Sequence, residues 1–88
     1  MDINSTCPVT ILKYIKKALR TKDKVSFNDV IGASECKKYT VKEIGTALEL
    51  IRRHKLVTAT SKFGCSELLE FCATSVTEEG EAFLRSNK

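Results

Sequence analysis

Reactive side chains are few in this chain of 88 residues: one histidine, His54, and four cysteines, Cys7, Cys36, Cys65 and Cys72. No two cysteines stand close enough for a Cys-x-x-Cys knuckle, and structural zinc draws its ligands from close pairs, so no metal site is expected. A thiolate paired with His54 would be a nucleophile with its base, but nothing in the spacing brings them together. The sequence contains no glycine-rich phosphate loop and no carboxylate pair set in apolar surroundings. Neither enzyme chemistry nor a cofactor nor a small-molecule substrate is expected. Cys72, in an apolar run, reads as a small buried hydrophobe. Cys7, Cys36 and Cys65 read either as free thiols in a reducing compartment or as redox-responsive disulfides within or between chains.

What remains is the chemistry of binding. Lys42, Thr46, Glu49 and Arg53 recur at helical spacing on one side of residues 40 to 54, while Val41, Ile44, Leu48, Ile51 and Lys55 fall on the other. Cations and a hydroxyl on a free helix face are suited to phosphates and base edges. Glu49 is the awkward member, since a carboxylate repels phosphate yet accepts from cytosine N4. Fifteen Lys and Arg against eleven Asp and Glu leave a net charge of +4, with the excess in the N-terminal half around Lys13, Lys16, Lys17, Arg20, Lys22 and Lys24. A modest positive field suits a polyanion.

The elements that must position these residues are legible in turn. Cys7-Pro8 opens a first helix with an apolar stripe of Ile11, Leu12, Ile15, Ala18 and Leu19, and Lys13, Lys16, Lys17 and Arg20 line its solvated side. After a charged turn, Ser26 caps a second helix that runs to about Ser34, with Asp29 near its positive end and Phe27, Val30 and Ile31 apolar. Residues 35 to 39 make a turn. Thr40 with Glu43 has the form of a capping box and starts the third helix. From Leu56 the period changes to two: Leu56, Thr58 and Thr60 alternate with Val57, Ala59 and Ser61, and a glycine-containing tip at 61–66 leads to a second apolar run, Leu68 to Thr74. This pattern predicts a β-hairpin. Thr77 caps a last short helix, with Glu78 and Glu79 in its first turn and Ala82, Phe83 and Leu84 available to pack back. The fold class expected is α+β, in a single domain over residues 1–88 with its core at about 8–85.

Three helices, a hairpin and a closing helix resemble the winged helix-turn-helix family of small prokaryotic and archaeal transcriptional regulators: a three-helix bundle, a two-stranded wing and a short C-terminal helix. Val76-Thr77-Glu78-Glu79-Gly80-Glu81-Ala82-Phe83-Leu84 is similar to that family's x-T-x-x-G-x-x-x-L ending. Leu48 to Val57 is similar to its L-x-x-x-G-L-V exit from the recognition helix, with Lys55 in the usual glycine position, where a left-handed conformation must be accepted or avoided. The resemblance implies sequence-specific binding to double-stranded DNA by a homodimer, with helix 40–54 in the major groove. It implies base or phosphate contacts from Lys42 and Thr46, a phosphate contact from Arg53, and backbone contacts from Lys38, Tyr39 and Thr40 at the helix entrance, with Glu49 facing the same way. Lys24 and Ser26 would abut a phosphate at the start of the second helix, and Lys62 at the hairpin tip would follow the minor groove or backbone. Phe63 beside it reads equally as a packing or dimer contact.

Two alternatives stand beside this reading. The same domain could serve as a protein-protein interaction module without DNA binding, since fold does not fix function. A redox-responsive regulator would use Cys36 or Cys65, expected near the contact surface. No apolar run reaches the length of a membrane helix, and Met1 to Thr6 lacks the features of a secretory signal, so a cytoplasmic location is expected.

Overall fold

The computed structural model describes residues 2–64 and 67–87. The chain is an α+β domain of four helices and a three-stranded antiparallel sheet. Helix α1 spans Thr6–Ala18, with Pro8 in its first turn, where amides have no intrahelical partner. Its stripe of Ile11, Leu12 and Ile15 is completely buried. A two-residue strand, β1 (Val25–Ser26), precedes helix α2 (Phe27–Gly32). Ser26 is the cap of α2: its Oγ accepts from the Asp29 amide at 3.2 Å, and its own amide donates to Asp29 Oδ2 at 2.9 Å. The hydrogen bond from the Ser26 amide is the chief reason that the Asp29 carboxyl sits below its ordinary range, and Lys22, 3.4 Å away, adds to it.

Helix α2 stops short of the expected Ser34. Ala33 turns to an extended conformation (φ −72°, ψ 135°), and residues 34 to 36 form a separate 3-10 turn. Helix α3, Val41–Arg53, begins at the anticipated box: Thr40 Oγ1 accepts from the Glu43 amide at 3.1 Å, and Glu43 returns a carboxylate oxygen to the Thr40 amide at 2.9 Å. It buries Ile44, Ala47, Leu48 and Ile51 against α1. At ~1.5–3 kcal/mol for each large aliphatic side chain removed from water, this face dominates the attachment of α3. Val41 departs from the expected buried side. As the first helical residue it projects beyond the core and is 55% exposed.

Helix α3 ends in a Schellman arrangement. The Lys55 amide donates to Arg52 O (3.0 Å), the Leu56 amide donates to Ile51 O (3.1 Å), and Lys55 accepts the left-handed conformation at φ 56°. Leu56 and Ile51 are both buried, which supplies the hydrophobic contact of that motif. The chain then enters β2 (Val57–Gly64) and returns as β3 (Glu67–Val76). β3 lies at the centre of the sheet, between β1 and β2. The expected two-stranded wing thus acquires a third strand through Val25 opposite Ala73 and Ser26 opposite Cys72. Two register shifts, between Thr58 and Ala59 and between Lys62 and Phe63, each leave an extra residue on β3. Phe71 and Ala73 are buried while Cys72 is only half-buried on the opposite face, so the expectation of a fully buried Cys72 does not hold.

Helix α4 (Glu78–Ser86) is capped by Thr77, whose Oγ1 accepts from the Gly80 amide at 3.1 Å. The same hydroxyl donates to Lys55 O at 2.6 Å, and the Thr77 amide donates to Leu56 O at 3.0 Å, so α4 is pinned to the exit of α3. Gly80 and Leu84 form its buried edge, Phe83 is half-buried, and Ala82 faces solvent rather than packing back. Lys16 Nζ meets Glu81 Oε2 at 2.6 Å and ties α1 to α4. No helix among the described residues is long and apolar enough to cross a membrane.

Candidate nucleic-acid interface

The exposed side of α3 is carried by Lys42, Thr46 and Arg53, the exposed members of the polar stripe. Lys42 makes no ion pair among the described residues. Thr46 is exposed, but its Oγ1 donates to Lys42 O at 3.0 Å, so in this rotamer it offers a lone pair rather than a proton. Thr40 is exposed with its oxygen and amide engaged in the capping box.

Glu49 does not face outward as a free carboxylate. Only 12% of its side chain is exposed, and its oxygens accept from Arg52 Nε (3.0 Å), Arg52 Nη2 and Arg53 Nε (3.1 Å). The Arg52 hydrogen bonds are the chief reason that its carboxyl sits below the ordinary range, and Arg53 adds to them. Glu49 reaches Arg52 at i,i+3 and Arg53 at i,i+4, both within span on one helix surface. Two guanidinium groups thereby cover one carboxylate. Arg53 remains 69% exposed at its side chain and Arg52 38%. Arg52 was not among the expected contact residues, although its i,i+3 relation to Glu49 is readable in the sequence.

At the entrance to α3, Lys38 is exposed, with its ammonium 5.3 Å from the centre of the Tyr39 ring. Tyr39 is not presented to a backbone as expected. Its ring packs on the core, and its hydroxyl is buried without a hydrogen-bond partner among the described residues.

Lys24, Ser26 and Lys62, expected to act from different elements, meet along one open groove between the start of α2 and the β2–β3 ladder, together with Phe27, Thr60 and Phe71. Lys62 lies within the paired strand opposite Glu70 rather than at the hairpin tip, because the ladder continues to Gly64 opposite Glu67. Phe63 likewise has its backbone in the ladder, and Cys65 falls outside the described residues. Ser26 is half-buried, with its oxygen and amide used by Asp29.

The expected position of Cys36 near the contact surface is corrected. It is completely buried in the 3-10 turn that packs on α1, and Cys7 is 5% exposed, with its thiol directed at Glu43 O (3.9 Å). Both are free thiols. Burial, aided by Glu43, pushes the Cys7 thiol up to about 11, and burial likewise raises Cys36.

No protein-family model, curated protein or solved structure matches this chain.

Proposed function

We propose that the protein is a sequence-specific double-stranded DNA-binding regulator of winged helix-turn-helix type. The observation that carries the reading is α3: an aliphatic face buried on α1, and an opposite surface of Lys42, Thr46 and Arg53 on which Glu49 is covered by Arg52 and Arg53. In this reading α3 enters the major groove, with its N-terminal half toward base edges and Arg53 toward phosphate. The β2–β3 hairpin is the wing, and β1 is the short strand that joins it to α2. Lys24 and Lys62 supply further backbone contacts. One helix reads few base pairs, so a homodimer on a palindromic site is the expected working form.

Selection from a randomised duplex library at two salt concentrations tests the reading. The expected result is a palindromic motif with affinity that falls steeply as salt rises. Lys42→Ala and Arg53→Ala should each weaken binding, and for a lost phosphate contact the log–log salt slope should fall by about 1. Binding that is absent, or indifferent to salt, rejects the proposal.

One observation favours a second reading. Val41 is the large apolar side chain exposed on the described surface, and it sits in the first turn of the same helix. A protein-docking module would use it. A stoichiometric protein complex that excess duplex DNA does not displace, and that Val41→Ser abolishes, would favour that reading.

A further inference from the structure

The three cationic residues of α3 are not equivalent. Lys42 stands alone on four rotatable bonds, whereas Arg53 is held at Nε by Glu49 Oε1 at 3.1 Å with 69% of its side chain exposed. Holding Nε leaves the two terminal Nη groups of the guanidinium unengaged by Glu49, and these form a fork suited to paired oxygen acceptors. Arg52 closes on the same carboxylate through both Nε and Nη2, so the acid is itself fixed and only slightly exposed.

We infer that Glu49 is a positioning residue that presets the Arg53 fork for a phosphate of the duplex backbone, which deepens the DNA-binding proposal and rests on it. The choice of phosphate over base follows from distance along the helix. At ~1.5 Å of rise per residue, Arg53 lies roughly 16 Å beyond Lys42. A major groove about 12 Å wide that receives the first turns of α3 has its far wall near Arg53. Preorganisation matters because an arginine side chain otherwise loses rotamer freedom on binding. The carboxylate thus assists an anionic ligand that it would, uncovered, repel.

A double-mutant cycle on the selected duplex tests this, with Glu49→Gln and Arg53→Ala alone and combined. Glu49→Gln should weaken binding roughly three- to tenfold in the wild-type background and should not weaken it when Arg53 is already alanine. Without positioning, loss of a negative charge should strengthen binding in both backgrounds, and that result overturns the inference. The loss should be uniform across duplex sequences; a loss confined to one guanine would overturn the phosphate assignment. In the free protein, the Arg53 Nε proton should be protected from exchange with water by NMR and should lose that protection in Glu49→Gln; an unprotected proton in the wild type overturns the inference even if the variant proves unstable. No duplex binding by the wild type rejects the DNA-binding proposal and this one with it, whereas binding with uncoupled substitutions rejects this one alone.

Discussion

Lys55 bears the only positive φ of a non-glycine residue recorded in the described chain, at 56°. An L side chain in this region costs roughly 1–2 kcal/mol, and glycine avoids that cost while gaining freedom in the unfolded chain. The carbonyl that receives Thr77 belongs to the backbone and would survive the change. Lys55→Gly should therefore stabilise the protein by a net ~0.5–1 kcal/mol, read as a higher urea midpoint at unchanged m-value. An unchanged or lower midpoint would mean that the exposed lysine contributes something its backbone does not reveal. At this scale the sequence was most legible where chemistry is local. Thr40 with Glu43 and Ser26 with Asp29 close hydrogen bonds across three residues, and the glycine-like site at Lys55 follows from its place after α3. Glu49 was legible in spacing but not in outcome, since only the chosen rotamers decide whether a carboxylate faces solvent or two arginines. Tyr39 departs from expectation for a related reason: a tyrosine beside a helix start offers both a polar tip and an apolar ring, and here the ring settles on the core.

Between elements, the tightest approach is Gly80 of α4 over the exit of α3. A Cβ built there would overlap the Leu56 carbonyl oxygen and stand 2.7 Å from Val76 Cγ1. Helix propensity alone favours alanine over glycine by about 1 kcal/mol, so the two arguments predict opposite signs. The steric one should win. Gly80→Ala should lower stability by about 2–3 kcal/mol, a fall in Tm of roughly 8–20 °C for a domain of this size. A rise in Tm would show that α4 can lift from Leu56 at little cost. Four helices and the hairpin were readable because their periods and caps are continuous in sequence. β1 was not, because two residues cannot show a period and Val25 is recruited by Ala73, far along the chain. The hairpin tip is narrower than its polar residues suggest for the same reason: polar residues such as Lys62 pair as readily as apolar ones once β3 lies beside them.

For the molecule as a whole, one aliphatic core is closed by α1, α3 and the inner face of the sheet, with Cys7 and Cys36 sealed inside it. Alkylation requires a thiolate and a path to it, and both are withheld: Cys7 is raised to about 11 and neither sulfur lies open to solvent. Iodoacetamide at neutral pH should leave both residues unmodified in native buffer, while in urea their labelling should rise with the same midpoint as the loss of helical circular dichroism. Fast native labelling of either would reveal a local breach that the packing does not suggest. These two atoms consequently serve as an internal tell-tale. One sits at the first turn of the opening helix and the other in the turn that leads to α3, so peptide mass spectrometry after a timed pulse would report separately whether each end of the scaffold has come apart.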